Sequence, residues 1–383
     1  MGKIFTAIGL MSGTSTDGVD ASIIKSDGYK EYTIIDDKYF KYDQKIRNSL
    51  FNIRSKMLSV NDLNTFENEI KKVERDLTLF HAKAVNDLIR KNNIKIDFIG
   101  FHGHTIIHDS KNKISKQIGD GGLLSQLCKT DVIYDFRQRD IKNGGEGAPL
   151  TPIFHNAIVN KNLRKELRNF ERINVLNLGG ISNITKVVEW EKFDESSDAI
   201  EAADIGPGNC LIDNWIRNNS KNSFDDNGTL ASLGTTDRII LNLALENINI
   251  MPPYNKSLDI NDFDTSFVRG LNLENGTSTL TDLTAEIISN GLNYYSNFQN
   301  SLCIVCGGGR KNKYLMNAIK NKLINSNEIK LSPIENYGIN GDYIESQAFA
   351  YLAIRSYLDL PISFPKTTGC KFSSTGGIMI SNY

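Results

Sequence analysis

A short glycine-rich loop between two apolar runs is the feature that most constrains how this chain folds. Residues 3–9 and 19–25 alternate or run apolar and predict two strands, which the loop from Met11 to Gly18 joins. The glycines in this loop permit tight backbone turns, and its hydroxyl and N–H groups can surround phosphate oxygens. A polar hairpin turn without a ligand is the alternative interpretation of so short a loop.

The loop matches neither of the two common nucleotide fingerprints. The Walker ending Gly-Lys-Ser/Thr is absent from the chain. A Rossmann loop opens a helix, whereas a second strand is predicted here. A strand–loop–strand hairpin that holds phosphate is typical of actin-like ATPases and sugar kinases.

The rest of the chain alternates between strand and helix patterns. Helical spacing covers residues 43–92, 210–218, 311–324 and 344–358, and strands are predicted at 97–102, 131–135, 173–178, 184–190 and 302–306. This alternation, in two halves of a 383-residue chain, predicts an α/β protein of more than one domain. The glycine-rich segment 142–149 is the natural boundary. We therefore expect a first lobe at 1–140, with 344–383 packing back onto it, and a second lobe at 141–343.

Composition excludes several classes of partner. The 44 Lys and Arg residues nearly balance the 45 Asp and Glu residues, so we expect no nucleic-acid or membrane-surface partner. No apolar run reaches about 18 residues, and the N-terminus lacks the pattern of a signal peptide. The five cysteines are scattered and odd in number, which indicates a reducing cytoplasm. Cys303 and Cys306 are predicted to be buried strand residues, not metal ligands.

Two later glycine loops carry candidate chemistry. Asp204 precedes a Gly-Pro-Gly turn that leaves little bulk in front of its carboxylate, as a general base requires. Capping of the helix at 210–218 is the alternative role for this aspartate. The second loop, Gly307 to Gly309, lies where a strand meets a helix and could hold phosphate or adenosine. An ordinary tight connection is the alternative there.

The segment 97–108 contains three histidines, and a charged group follows at 135–140. His102 and His104 could share a strand face, which raises a metal hypothesis, but no nearby Asp or Cys completes such a site. Hydrogen bonding to a substrate is the favoured alternative. Arg137 lies beside Asp135 and Asp140 and is either part of a surface salt bridge or a fork for a carboxylate ligand.

Together, in this order, the loops resemble those of the anhydro-N-acetylmuramic acid kinase family. The segments that carry the resemblance are 9–20, 101–108, 117–120, 135–137, 147–149, 177–185, 204–209 and 306–309. The resemblance implies a two-lobed, actin-like (ribonuclease H-like) fold with a nucleotide cleft between the lobes. It also implies a homodimer. The implied reaction opens the anhydro bridge of 1,6-anhydro-N-acetylmuramic acid with water and ATP and phosphorylates O6.

The resemblance also implies roles for individual residues. Asp204 matches the catalytic base, and Asp17 and Glu345 match acids placed near Mg²⁺. The positions expected to bind ATP are Gly13, Thr14, Ser15, Thr16, Asp17, Gly18, Val19, Asp20, Gly179, Gly180, Gly307, Gly308, Gly309 and Asn312. The positions expected to bind the sugar are Ser12, His102, Asp120, Arg137, Gly206 and Asn209.

Some positions depart from the family pattern on the probable sugar side. The family usually has Gln at the positions of His104 and Glu146 and Thr at that of Ile205, and 255–263 follows its pattern only loosely. Another anhydrosugar such as levoglucosan is therefore an alternative substrate. A non-catalytic ATP-binding module and a zinc protein centred on the histidines are the alternatives from other classes.

Overall fold

The chain divides into two compact units. The computed structural model describes residues 2–13, 15–109, 112–193, 200–248, 250–254, 257–297, 300–323 and 328–383. The first unit comprises Met1–Lys161, Trp190–Ala199 and Tyr343–Tyr383, and the second comprises Asn162–Glu189 and Ile200–Asp342. Among the helices of the described ranges, none is long and apolar enough to cross a bilayer.

The first unit is built on one mixed sheet. Its strands are β1 (Phe5–Ser12), β2 (Gly18–Ser26), β3 (Tyr32–Lys41), β4 (Phe98–Asp109), β5 (Ile114–Ile118), β6 (Asp131–Tyr134) and β12 (Ile378–Ile380). Its helices are α1 (Gln44–Lys56), α2 (Asp62–Thr65), α3 (Glu67–Asn92), α4 (Gly121–Cys128), α5 (Gln138–Lys142), α6 (Pro152–Asn162), α13 (Ile344–Tyr357) and α14 (Pro365–Thr368). The strand order is β12-β6-β4-β1-β2-β3, and β5 pairs with β4.

Helix α13 packs unusually close to the centre of this sheet, and two glycines make that possible. A Cβ at Gly9 would lie 1.9 Å from the carbonyl oxygen of Ser346. A Cβ at Gly100 would lie 2.1 Å from the carbonyl oxygen of Phe349. Helices α1 and α3 belong to an apolar cluster with the other side chains of β1 and β2. The first unit is therefore a sheet with helices on both faces.

The second unit has its own sheet and a long central helix. Its strands are β7 (Arg172–Leu178), β8 (Ile181–Lys186), β9 (Glu201–Pro207), β10 (Ser301–Cys306) and β11 (Ile329–Pro333). Its helices are α7 (Glu166–Asn169), α8 (Cys210–Asn219), α9 (Thr229–Leu233), α10 (Arg238–Asn247), α11 (Leu273–Ser296) and α12 (Lys313–Leu323). Leu280, Leu283 and Ile288 of α11 are fully buried in its core.

The two sheets repeat one topology. In the first unit β1, β2 and β3 form an antiparallel meander, and β1 pairs in parallel with β4, which pairs in parallel with β6. In the second unit β7, β8 and β9 form the meander, and β7 pairs in parallel with β10, which pairs in parallel with β11. This is the ribonuclease H-like arrangement, present once in each unit. The predicted α/β, actin-like fold class is confirmed.

The first unit continues past the predicted boundary at residue 140. The side-chain amide of Asn143 donates to the carbonyl of Phe372 over 2.6 Å, and the Glu146 N–H donates to the carbonyl of Thr368 over 2.8 Å. These bonds tie the glycine-rich segment to residues 368–372 of the same unit. The first stretch of this unit consequently ends at Lys161, after most of α6. A glycine-rich composition alone did not reveal this anchoring.

Candidate functional site

The loop between β1 and β2 presents two exposed polar side chains at its tip. The Thr16 N–H donates to the Gly13 carbonyl over 3.2 Å, and Thr16 has a left-handed φ of 56°. The Ser15 hydroxyl donates to Oδ1 of Asp17 over 2.5 Å, and both residues are exposed. Gly18 has no space for a side chain, because its Cβ would lie 2.4 Å from the Tyr39 ring. Thr14, also expected to bind ATP, lies outside the described residues.

The first residues of β2 contribute in different ways. Val19 is fully buried in the apolar core, so its side chain is not available to a ligand. Asp20 lies on β2 opposite Met11 of β1 and Tyr39 of β3. Burial, together with the negative charges of Asp17 and Asp20, raises the pKa of Tyr39 to about 12. The hairpin therefore carries negative charge beside a phenol that stays protonated.

Ser12, at the end of β1, is held from inside the unit. Its hydroxyl lies 2.7 Å from the Tyr42 hydroxyl, which donates to it, and 2.9 Å from Nδ1 of His104. Only 2% of Ser12 is exposed. Tyr42 was not singled out from the sequence, and no local pattern could have paired it with a residue 30 positions earlier.

His102 and His104 lie on different faces of β4, contrary to the expectation that they share one. The His102 ring packs on Phe349 of α13 with 4.5 Å between ring centroids, whereas His104 contacts Ser12. The alternation of side chains is interrupted by the left-handed φ of Gly103, 74°, and by a register shift between β1 and β4. The two histidines therefore do not form a joint metal site.

Arg137 is fixed by two acceptors. Its Nη2 donates to Nε2 of His102 over 2.9 Å, and its Nη1 donates to the Gly147 carbonyl over 2.6 Å. Asp140 accepts the Gly147 N–H over 2.7 Å and so holds in place the loop that carries this carbonyl. Burial, and then the positive charge of Arg137, lower the pKa of His102 well below its usual value. A neutral His102 thus orients a half-buried guanidinium.

Asp120 and Glu345 lie at the beginnings of two helices of the first unit. Asp120 caps α4, since its Oδ1 accepts the Leu123 N–H over 2.9 Å. Glu345 lies in the first turn of α13 and is half-buried. The start of α13 is fixed on β2 by a 2.6 Å hydrogen bond between the hydroxyls of Ser346 and Ser22. Asp120 accordingly serves as the N-cap of α4. Glu345 is positioned by the anchored start of α13.

Asp204 lies inside β9, a strand that the sequence analysis did not predict. Its Oδ2 accepts the Leu258 N–H over 2.8 Å and the Ser257 hydroxyl over 3.3 Å, and Asp204 is 8% exposed. These two hydrogen-bond donors lie in the segment after α10. The N-cap residue of α8 is Asn209, which makes no side-chain cap bond. The alternative interpretation of Asp204 as the cap of α8 is therefore wrong.

Three glycine loops converge within the second unit. The Asn209 N–H donates to the Gly179 carbonyl over 2.8 Å, and the Gly208 N–H donates to the Gly180 carbonyl over 2.9 Å. A Cβ at Gly309 would lie 3.0 Å from Oδ1 of Asn209. Gly206, in the same turn, has its carbonyl held by the Ser182 hydroxyl over 3.0 Å. The turn after Asp204 is thus packed between the loops at 179–180 and 307–309.

The loop from Gly307 to Asn312 has one open position. Gly307 has a φ of 79°, and its Cβ would lie 2.4 Å from Oδ1 of Asn177, so it must be glycine. At Gly308, by contrast, a Cβ would meet no described atom within 4 Å. Asn312 accepts the Leu315 N–H over 2.9 Å and so caps α12. The face of the loop at Gly308 is open to a ligand.

A cavity of about 590 Å³ adjoins this loop within the second unit. Its lining residues are Arg310, Lys311, Pro333, Glu335, Gly338, Ile339, Asn340 and Asp342. The buried Arg310 side chain pairs with Glu335 over 2.5 Å and with Asp342 over 2.9 Å. These partners lie 25 and 32 positions away in the chain, so no local sequence pattern indicates the cluster.

Two solved structures resemble this chain distantly. The activator of the 2-hydroxyisocaproyl-CoA dehydratase from Clostridium difficile, with bound ADPNP, is 10% identical; 91% of this chain and 94% of that one are covered, with a TM-score of 0.43. A ROK family glucokinase from Streptomyces griseus, in complex with glucose and AMPPNP, is 10% identical. The match covers 91% of this chain and 99% of the glucokinase chain, with a TM-score of 0.38.

Sequence relatives are much nearer. A Pelagibacter ubique (strain HTCC1062) protein named anhydro-N-acetylmuramic acid kinase is 49% identical over 100% of both chains. The Zymomonas mobilis protein of that name is 38% identical over 97% of this chain and 98% of its own. The family model described as anhydro-N-acetylmuramic acid kinase matches residues 5–381. The chain therefore belongs to the anhydro-N-acetylmuramic acid kinase family.

Proposed function

We propose that this protein opens the anhydro bridge of 1,6-anhydro-N-acetylmuramic acid with water and transfers the γ-phosphoryl group of ATP to O6. The product would be N-acetylmuramic acid 6-phosphate, an intermediate of cell-wall recycling. The observation that carries the proposal is the carboxylate of Asp204, which is buried and fixed at 2.8 Å by the Leu258 N–H beside three converging glycine loops. Membership of the family supplies the substrate.

Asp204 would act as the general base. Its carboxylate takes a proton from water as the water oxygen attacks C1 of the sugar, and the bond from C1 to the bridging oxygen breaks. A glycosidase needs a second carboxylic acid to protonate the leaving oxygen. In the proposed reaction the leaving oxygen, O6, instead forms its new bond to the γ-phosphorus of ATP, and ADP departs. One carboxylate is therefore sufficient.

Glycine-rich loops that suit a nucleotide lie within each unit. The hairpin from Gly13 to Gly18 offers hydroxyl and N–H groups to the phosphates, and Gly308 lets a ligand approach its backbone closely. The cavity lined by Arg310 and Lys311 of the same loop, of about 590 Å³, falls within the usual size range of small-molecule sites. We assign it to the adenosine moiety.

Asp17 and Glu345 fit a magnesium ion by their chemistry. Mg²⁺ prefers oxygen ligands and is commonly held by one or two carboxylates together with substrate phosphates. Asp17 is exposed at the tip of the hairpin, and Glu345 is half-buried in the first turn of α13. When bound, Mg²⁺ would neutralise charge on the transferring phosphoryl group.

Arg137 is the residue that we assign to the lactyl carboxylate of the sugar. Its guanidinium is preorganised by His102 and the Gly147 carbonyl, which lowers the entropy cost of a bidentate contact. A neutral anhydrosugar such as levoglucosan lacks this carboxylate. Arg137 should therefore discriminate between the two substrates.

Location and assembly are part of the proposal. All five cysteines are buried, and we place the protein in the cytoplasm, where ATP is available. We propose a homodimer on the basis of the family resemblance. Sedimentation analysis at micromolar concentration should show a dimer. A monomer at that concentration would refute the proposed assembly.

A product assay tests the proposed function. The purified protein is incubated with Mg-ATP and either 1,6-anhydro-N-acetylmuramic acid, levoglucosan or no sugar, and products are identified by mass spectrometry. We expect a 6-phosphate of the hydrated amino sugar and little product from levoglucosan. Arg137→Lys should raise KM for the amino sugar and leave levoglucosan turnover unchanged. Faster turnover of levoglucosan by the unmodified protein would contradict the assigned substrate.

A further inference from the structure

Tyr42 contacts both ends of the loop between β1 and β2. Its hydroxyl donates to the Ser12 hydroxyl over 2.7 Å, at the end of β1. Its backbone N–H donates to the Asp17 carbonyl over 2.9 Å, one residue before β2 begins. One residue, located just after β3, therefore spans the intervening loop with a side-chain bond and a main-chain bond.

The side-chain bond continues into the core. Ser12 Oγ lies 2.9 Å from Nδ1 of His104, and Ser12, Tyr42 and His104 are 2%, 4% and 0% exposed. Burial raises the pKa of Tyr42, so its phenol keeps the proton that it donates to Ser12. Burial, with the charges of Arg54 and His81, lowers the pKa of His104 to about 3. His104 is therefore a neutral imidazole with one donor and one acceptor nitrogen.

His104 is held through one of its two ring nitrogens. Nε2 of His104 is buried and without a hydrogen-bond partner among the described residues. Nδ1 is therefore the nitrogen that fixes the ring, through the Ser12 hydroxyl at 2.9 Å.

We infer that Tyr42 and His104 are positioning residues, which hold the two ends of this loop, at Ser12 and Asp17, so that the loop can receive the phosphates of ATP. The inference rests on the proposed function for the identity of the ligand. Because the hydroxyl of Ser12 is bonded to both Tyr42 and His104 and only 2% of the residue is exposed, Ser12 anchors the loop from inside the unit. This differs from the direct contact with the sugar that the resemblance implies for Ser12.

The test compares two tyrosine hydroxyls in the same unit. Tyr42→Phe removes the bond to Ser12. Tyr351→Phe is the matched control, since the Tyr351 hydroxyl donates to the Tyr29 carbonyl over 2.5 Å, outside the loop. Amide hydrogen exchange without nucleotide should become faster in the loop segment of Tyr42→Phe and stay unchanged there in Tyr351→Phe. Unchanged loop exchange in Tyr42→Phe would overturn the inference.

Nucleotide affinity provides the second measurement. Loss of one buried hydrogen bond should raise the Kd for Mg-ATP about threefold to tenfold in Tyr42→Phe. His104→Gln keeps a side chain that can donate to or accept from the Ser12 hydroxyl and should bind Mg-ATP within about twofold of the unmodified protein, whereas His104→Leu should resemble Tyr42→Phe. Equal Kd values in Tyr42→Phe and Tyr351→Phe would overturn the link to ATP. A protein with the expected exchange and affinities that phosphorylates no anhydrosugar would refute the proposed function alone.

Discussion

The Leu258 N–H donates to Oδ2 of Asp204 over 2.8 Å, and this bond fixes the carboxylate that we assign as the general base. Asp204→Asn keeps an oxygen that accepts this N–H and removes the proton acceptor. A positioned base contributes about 10²–10⁴-fold, so we expect a loss of kcat in that range, with an unchanged Kd for ATP. Steady-state kinetics and titration calorimetry measure both quantities.

Asp225 provides the matched control for that substitution. It is also a buried aspartate that accepts backbone N–H groups, those of Leu230 over 2.7 Å and Ala231 over 3.0 Å. Asp225→Asn should lower the melting temperature and leave kcat within a few-fold. If Asp204→Asn and Asp225→Asn change stability and kcat alike, Asp204 has only a structural role.

Gly308 tests whether a nucleotide approaches the turn after β10. Since a Cβ there meets no described atom within 4 Å, Gly308→Ala should keep the stability of the unmodified protein. It should nevertheless raise the Kd for ATP, because the methyl group occupies the open face of the turn. Gly307→Ala should unfold at a lower temperature, since its Cβ would lie 2.4 Å from Asn177. Unchanged ATP affinity in Gly308→Ala would contradict the assignment of this turn.

Asp17 and Glu345 test the magnesium assignment. If both orient the ion, Asp17→Asn and Glu345→Gln should each raise the magnesium concentration required for half-maximal turnover by about tenfold or more. Melting temperatures should change little for Asp17→Asn, because Asp17 is exposed. Activity measured at several magnesium concentrations checks this. A fall in kcat that no magnesium concentration restores, with unchanged magnesium dependence, would argue against a role in holding the ion.

Four buried histidines predict how stability depends on pH. Burial lowers the pKa of His81 and His155 to about 4, that of His104 to about 3 and, with the charge of Arg137, that of His102 well below the usual value of 6.5. Between pH 6.5 and 4 the unfolded chain binds these protons and the folded chain does not. The free energy of unfolding should therefore fall as the pH falls, by about 1.4 kcal/mol per pH unit and histidine.

Chemical unfolding at pH 7.5, 6 and 5 measures this dependence. His155→Gln removes one of the four titrating groups, so the unfolding free energy of this variant should fall less steeply with decreasing pH. The slopes are compared, because the substitution also changes stability at every pH. An identical slope in His155→Gln would show that His155 titrates in the folded protein as it does in the unfolded chain.

The sequence predicted elements whose evidence is local. The hairpin at 5–26 follows from two apolar runs around a glycine loop, and α3 and α13 follow from apolar spacing at helical period. Strand β9 was not predicted because its apolar pattern is too short. The pattern begins at Ala202 and ends at Gly206 and Pro207. The predicted strand at 184–190 lies at 181–186, since its pairing with β7 begins directly after the Gly179–Gly180 turn.

The candidate site was predictable only in part, for a related reason. Glycine loops and acids next to them are visible as motifs, so Asp204 and the loop at 307–309 could be proposed from the sequence. The bonds from Tyr42 to Ser12 and from Arg310 to Asp342 join residues about 30 positions apart and follow only from the folded chain. Similarly, the left-handed backbone at Gly103 places His102 and His104 on different faces, which the period of a regular strand does not reveal.

The most direct test of the account is the fate of solvent oxygen during turnover. The protein is incubated with Mg-ATP and 1,6-anhydro-N-acetylmuramic acid in oxygen-18 water, and the products are analysed early by mass spectrometry, before exchange at the anomeric carbon. Water attacks C1 in the proposed reaction, so the label should appear at C1 of the sugar phosphate, and the transferred phosphoryl group should carry none. Label in released inorganic phosphate, with the anhydro sugar unchanged, would mean simple ATP hydrolysis and would contradict the coupled mechanism.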